Sequence, residues 1–282
     1  MANIDFRTKL IPLLGKPKES PLALRLVNCG LEAANLNARC LYSAVETEHL
    51  ADVVGGVRHL NCAGLALTIP HQKEVLSLLD ELDPLCAKIA CCDTAVKKEG
   101  KLIGHNALGT GFYTAITRDG EDTKDRTVFC LGAGCEGRAI CGILAYYGVK
   151  KLYITDPLDS SAQALADAIN EGIAPVAEYV PFQDFTHLAE CSMVIHTSHS
   201  GEMPLPAELM RKEAYYFDTC PFPAKSQFLQ SAEAAGAKFL DGSGMSLYTA
   251  MEQIRLWTGE EAPEEAMQLE LARILEEKSL KA

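Results

Sequence analysis

The stretch that most limits what this chain can fold into is residues 127–139, Thr-Val-Phe-Cys-Leu-Gly-Ala-Gly-Cys-Glu-Gly-Arg-Ala. Five residues of strand character run into Gly132-x-Gly134-x-x-Gly137, and a helical pattern follows to about Tyr147. A glycine triplet is informative in this context, between a strand and a helix. Gly132 permits a tight turn, and Gly134 removes a side chain where a pyrophosphate must approach the backbone. Gly137 lets the helix pack close on the strand. The new helix N-terminus presents N–H groups and a positive dipole end to phosphates. A second strand, Lys151–Thr155, ends in Asp156, nineteen residues past Gly137. A carboxylate at that place pairs with a ribose diol. The sequence therefore predicts a dinucleotide site. Its candidate contacts are Gly132, Gly134, Cys135, Glu136, Gly137, Asp156, Thr197, Cys220 and Gly244.

Composition narrows the remainder. With 282 residues, 48% of them hydrophobic, the chain can build two cores. A net charge of −12 without a basic run argues against nucleic acid and anionic membranes as partners. No apolar run reaches ~18 residues, so no bilayer span is expected. The polar start, Met-Ala-Asn-Ile-Asp-Phe-Arg-Thr, does not read as a signal peptide, which points to the cytoplasm. The eleven cysteines follow no C-x-x-C spacing and sit mostly in apolar surroundings. They read as buried free thiols, and no metal site is expected.

In chain order, residues 6–15 read as a strand, with Ser20 as N-cap and Pro21 at the first position of the next helix. Leu22, Leu26, Cys29 and Ala33 form that helix's inner face. Residues 38–45 and 64–68 read as strands around a helix at 49–60. Pro70 opens a helix lined by Leu76, Leu79 and Leu82. Extended pieces follow at 92–96 and 101–106, and Gly109-x-Gly111 marks the passage to the nucleotide domain. Past Asp156, a helix from Asp159 leads into strands at 176–180, 192–196, 215–218 and 238–240, alternating with helices as in a parallel sheet. Residues 246–256 and 263–278 are helical, the last helix carrying Met267, Leu269, Leu271 and Leu275. The predicted class is α/β with two domains. Residues 1–110 plus 246–282 form a substrate-binding domain, and 111–245 form a Rossmann domain.

This order resembles the shikimate dehydrogenase superfamily over nearly the whole chain. The resemblance rests on Gly15-x-Pro17 with Ser20-Pro21, and on Gly64-Leu-Ala-Leu-Thr68-Ile-Pro70-His. It extends through Asp93-Thr94, Gly104-His-Asn106, Gly109-x-Gly111, the glycine turn, Gly244-Met245 and Trp257-Thr258-Gly259. The nucleotide half is most similar to the quinate/shikimate branch that uses NAD. There an Asp replaces the Asn-Arg-Thr that grips a 2′-phosphate, so Asp156 favours NAD over NADP. The resemblance implies an oxidoreductase that transfers hydride between nicotinamide and a ring alcohol, as in aromatic amino acid biosynthesis. It also implies a small-molecule substrate held by the front domain and the C-terminal helices. A homodimer is a further candidate assembly.

The departures cluster at the chemistry. The family's catalytic pair is a Lys just after the Thr-x-Pro turn and an Asp after Asn-Thr. In register these positions hold Gln72 and Leu108. The Asn of the family's Asn-Thr pair is Asp93. The Asn two places before Thr68 is Ala66, one of two carboxylate-binding serines is lost while Ser20 stays, and the expected Gln is Thr249. The Tyr expected ahead of Pro223 is Pro221. The substrate contacts carried over are Ser20, Thr68, Gln72, Asn106 and Thr249, with Lys73 and Asp93 as candidates for proton transfer. His71 and His105 are nearby titratable groups, and His196 and His199 read as lining the cofactor cleft. Lost donors and an added carboxylate predict a ligand that is neutral or cationic where it meets Asp93, such as a polyol or an amine. Three readings follow: a dehydrogenase with an altered substrate, a dinucleotide-binding protein without hydride transfer, and an atypical shikimate or quinate dehydrogenase.

Overall fold

The computed structural model describes residues 4–16, 22–198, 203–221 and 225–279. The expected N-cap Ser20 and first helical residue Pro21, together with Pro17, His199 and Pro223, lie outside the described residues. The chain divides into two compact units, with boundaries after Gly111 and after Met245.

The first unit contains β1 (Lys9–Gly15), α1 (Leu22–Ala33), β2 (Ala38–Ala44), α2 (Leu50–His59) and β3 (Gly64–Leu67). Next come α3 (His71–Glu74), β4 (Glu81–Leu82), α4 (Pro84–Ile89), β5 (Thr94–Lys98), β6 (Lys101–His105) and the start of α5 (Ala107–Arg118). Its sheet has the order β2-β1-β3-β5-β6-β4, parallel at β1–β2 and β1–β3 and antiparallel at β3–β5 and β5–β6. Both faces are covered, as alternation along the strands requires. Ile11, Leu13 and Ala66 point to one core, and Leu14, Leu65 and Leu67 to the other, with Val54 and Val57 of α2.

The second unit contains β7 (Thr127–Leu131), α6 (Cys135–Tyr146), β8 (Lys151–Thr155), α7 (Asp159–Gly172) and β9 (Ala177–Tyr179). It continues with β10 (Met193–His196), β11 (Tyr215–Asp218), α8 (Gln227–Ala234) and β12 (Lys238–Asp241). All five strand pairings are parallel, in the order β12-β11-β10-β7-β8-β9. Counted from β7, this is the doubly wound dinucleotide-binding order, with its reversal point between β7 and β10.

Two helices close the chain, α9 (Ser243–Thr258) and α10 (Glu264–Ser279). Beyond Met245 they return to the first unit. Leu247, Ile254 and Trp257 of α9 and Met267, Leu271 and Ile274 of α10 join the core that holds Ile11 and Leu26. Trp257 Nε1 donates to Ala95 O at 3.1 Å, and its ring lies so close to Gly64 that an added Cβ would stand 2.8 Å from it. The buried face of α10 is therefore 267, 271 and 274. Leu269, one of the apolar residues this helix carries, is 59% exposed.

The helix expected from Pro70 through Leu82 is not one helix. Only His71–Glu74 is α-helical, Val75–Leu78 forms a 3₁₀ turn, and Leu82 sits in β4. The leucine spacing fits a helix, but Asp80 ends it. Its N–H donates to Leu102 O at 3.0 Å and its carboxylate accepts Leu102 N–H at 2.7 Å, which draws Glu81–Leu82 into the sheet. Helix α4 was not anticipated, although its signal is local: Asp83 accepts from Leu85 N and Cys86 N, with Pro84 at the first position.

Candidate active site and dinucleotide pocket

In the first unit, three N–H groups at the start of α5 find two side chains. Asn106 is the N-cap, its Oδ1 accepting from Gly109 N at 3.0 Å. Asp93 supplies the other acceptors, Oδ1 to Ala107 N at 3.0 Å and Oδ2 to Leu108 N at 2.7 Å. Thr94 Oγ1 donates to Asp93 Oδ1, and Gln253 Nε2 of α9 donates to Thr94 Oγ1 at 3.0 Å. Asp93 is 2% exposed. Burial pushes its carboxyl up to about 6, against the pull of Thr94 and of the Leu108 and Ala107 N–H groups. The positive end of α5 opposes that rise.

Around this carboxylate the side chains are neutral or turned elsewhere. Gln72 is buried, its Nε2 donating to Leu67 O at 3.0 Å, whereas Lys73 beside it is exposed. His71 is fully buried and bonds Val45 O through Nε2 at 2.9 Å. Thr68 is half-buried, its hydroxyl 3.4 Å from Leu14 O and over Gly15, where an added Cβ would stand 2.5 Å from it. Thr249 is buried and its hydroxyl has no partner among the described residues. It lies one helical turn before Gln253, on the same face of α9. Asn106 Nδ2 donates to Cys91 O at 3.1 Å, so most of that side chain already serves the backbone. His105 turns away to Asp83, with Nδ1 3.4 Å from Oδ2. Ser20 lies outside the described residues.

In the second unit the glycine turn divides its roles. Gly132 has φ +120°, and an added Cβ would stand 2.3 Å from Thr197 Oγ1. A Cβ on Gly137 would stand 2.0 Å from Gly132 O. Gly134 is exposed and would meet nothing within 4 Å, so protein packing does not explain it. The open space leaves room for a ligand to approach the backbone. No side chain caps α6 after Gly134, in contrast to α5. Cys135 and Glu136 stand in its first turn. Asp156 accepts Ala133 N–H through Oδ2 at 2.7 Å and Leu158 N–H through Oδ1 at 2.8 Å, tying the tip of β8 to the glycine turn.

A cavity of about 340 Å³ lies here, lined among others by Leu131, Gly132, Thr155, Pro157, His196 and Ser198. It sits at the carboxyl ends of β7, β8 and β10, where such folds take their ligand. Thr197 is buried, its hydroxyl 3.3 Å from Leu131 O, and so supports the turn from behind. Cys220 N donates to Asp218 Oδ1 at 3.0 Å, and Gly244 lies in the first turn of α9, close to Ala115. His196 is buried between Asp218 (Nδ1–Oδ2, 3.3 Å) and Ser198 (Nε2–Oγ, 2.8 Å). Burial works against the charge of Asp218, but hydrogen bonds to His196, Ser226 and Cys220 N hold its carboxyl below the usual range. These residues fit a nicotinamide dinucleotide.

Sequence reading did not single out Gln253 or Ser198. The signal for Gln253 was its i+4 spacing from Thr249. All eleven cysteines are thiols, nine of them buried, and no group of three His, Cys, Asp or Glu among the described residues could hold a metal. No described helix is long and apolar enough to cross a membrane.

The model of the shikimate dehydrogenase substrate binding domain matches residues 13–95. Shikimate dehydrogenase (NADP(+)) of Geobacillus sp. (strain WCH70) is 32% identical over 258 residues, 89% of this chain and 93% of the relative. The chain belongs to the shikimate dehydrogenase superfamily. Among solved structures, shikimate 5-dehydrogenase from Listeria monocytogenes, in complex with shikimate and NAD, matches with TM-score 0.89 and 28% identity. That match covers 95% of this chain and 98% of the other. The ligand-free 5-ketofructose reductase of Gluconobacter sp. strain CHM43 matches with TM-score 0.87 and 28% identity, over 96% and 100%. The superfamily is one of oxidoreductases using a nicotinamide dinucleotide.

Proposed function

We propose that this protein oxidises and reduces a neutral polyol or keto sugar with a nicotinamide dinucleotide, and that Asp93 handles the hydroxyl proton. The observation that carries this reading is the buried Asp93 carboxylate one hydrogen bond from the Leu108 backbone. In the family that position carries the catalytic Asp. Here the carboxylate comes from residue 93 instead. Bound dinucleotide supplies the two-electron hydride acceptor or donor. In oxidation, Asp93 takes the proton of the substrate hydroxyl as the carbonyl forms. In reduction, it returns that proton to the new alcohol oxygen. A carboxyl raised to about 6 suits both directions.

Charge supports a neutral substrate. The family's site pairs Lys with Asp and receives a carboxylate. Here Gln72 and Leu108 are uncharged and Asp93 is acidic, so a neutral ligand gives the same local total. Placing a second carboxylate beside a buried one would cost several kcal/mol by order of magnitude. The 5-ketofructose reductase neighbour is named for a neutral sugar. The unpartnered Thr249 hydroxyl fits a ligand hydroxyl. A second reading, shikimate itself, is favoured by the names of the relatives. For the cofactor, Asp156 supports NAD over NADP because its remaining lone pairs suit a diol and its charge repels a 2′-phosphate.

The test is reduction of 5-keto-D-fructose and oxidation of polyols, shikimate and quinate with each cofactor, followed by absorbance of the reduced nicotinamide. Turnover of a neutral substrate that is lost in Asp93→Asn is the expected result. Turnover confined to shikimate or quinate would overturn the substrate assignment. Cofactor binding without any turnover would make this a binding protein.

A further inference from the structure

A buried chain of three side chains leads from α9 to the carboxylate: Gln253, Thr94 and Asp93, at 5%, 0% and 2% exposure. Its direction is fixed by chemistry. The Gln253 amide donates through Nε2 to Thr94 Oγ1, so the single hydroxyl proton of Thr94 is free to go to Asp93 Oδ1. The opposite amide orientation would take that proton away from Asp93. Oδ1 then accepts from both Thr94 and Ala107 N, while among the described residues Oδ2 accepts only from Leu108 N. A carboxylate offers about four lone-pair sites. Three are filled by fixed donors, which leaves one vacancy, on Oδ2.

We propose that Gln253 and Thr94 are positioning residues that fill Oδ1 of Asp93, so that a substrate hydroxyl and its proton are received at Oδ2. This rests on the reading of Asp93 as the proton-handling group. The relay is a feature of this chain's own residues, because Gln253 stands one turn beyond the position where the family carries its Gln, and that position is Thr249 here. Packing alone does not require an amide at 253. The neighbouring Ile254 and Ala250 belong to an apolar core, and a leucine would bury more apolar surface. What an amide adds is the donor for Thr94. Two further titratable groups act on Asp93 through space: Asp83, whose carboxylate is turned to His105, and Cys86, whose thiol donates to Cys91 O. All are common to the variants below, so they do not blur the comparison.

The experiment uses the full chain labelled with ¹³C at aspartate carboxyls, with the Asp93 signal assigned by Asp93→Asn. Thr94→Val removes a donor to the ionised form and should raise the Asp93 titration midpoint by about one pH unit. Gln253→Leu should move it the same way by less, and Thr94→Ser should restore it. In parallel, kcat and KM for 5-keto-D-fructose with NADH should split, with kcat lowered roughly tenfold in Thr94→Val and KM little changed. An unmoved midpoint in folded Thr94→Val and Gln253→Leu overturns the relay. If the midpoint moves while no substrate turns over even in the parent protein, the relay stands and the assignment of Asp93 to catalysis falls. Should Thr94→Val not fold, Gln253→Leu and Thr94→Ser carry the test.

Discussion

Oδ2 of Asp93 accepts the backbone N–H of Leu108 at 2.7 Å. Residue 108 is a leucine where the resemblance implies an acidic side chain, and residue 93, fifteen positions earlier, brings a carboxylate to the same backbone. The same carboxylate also completes the N-terminus of α5, so the proposed proton transfer and helix capping would draw on one group.

That double duty sets a pH dependence. The folded protein holds Asp93 at about 6 against an ordinary value of 3.8, because burial disfavours its charge. The fold therefore binds this proton more tightly than the unfolded chain does. The contribution of Asp93 to stability is full below about 4 and is lost as pH rises through about 6, roughly 3 kcal/mol in all. Denaturant melts between pH 4 and 6 should show that slope, and Asp93→Asn should flatten it. Oxidation should rise with pH through about 6 in the parent protein.

Restoring the family's lysine should fail. Gln72 is buried against Leu67 O. In Gln72→Lys an ammonium would replace an amide in that enclosed place, at a cost of several kcal/mol by order of magnitude. Thermal melting should fall by several degrees, and shikimate oxidation should not appear. A variant as stable as the parent that oxidises shikimate would contradict both points.

The glycine turn should separate folding from binding. Gly137→Ala puts a Cβ 2.0 Å from Gly132 O and should lower the melting temperature. The Cβ of Gly134→Val meets no described protein atom within 4 Å, so the variant should melt like the parent, yet weaken NADH binding at least about tenfold, as followed by nicotinamide fluorescence. Equal binding by Gly134→Val would remove the pyrophosphate from this turn.

Cofactor preference should respond to Asp156. Asp156→Ser removes a negative charge that would repel a 2′-phosphate under the proposed reading, and the ratio of kcat/KM for NADP to that for NAD should then rise by about tenfold or more. An unchanged ratio would place discrimination elsewhere.

Much of the second unit was legible because its signals are local. The strand, the three glycines, the helix and the acid follow one another within thirty residues, and each has one steric or electrostatic reason. The first unit was legible in outline and opaque at the site. The contacts that define it join residues far apart in sequence, such as Gln253 with Thr94 and Asp93 with Leu108. The leucines at 76, 79 and 82 misled because their spacing suits a helix, while Asp80 recruits the segment to a sheet. The inward turn of Gln72 and the exposure of Lys73 likewise depend on which carbonyl lies beneath them, and a linear pattern does not encode that.

The bond from Asp156 to Ala133 N–H has a consequence for any attempt to re-engineer the cofactor. The group that would discriminate between the two dinucleotides is also a strut of the loop that would grip their shared pyrophosphate. Replacing it trades selectivity against grip. A variant that accepts the phosphorylated cofactor would start with a slackened loop, and recovering tight binding would take a second change at the turn itself.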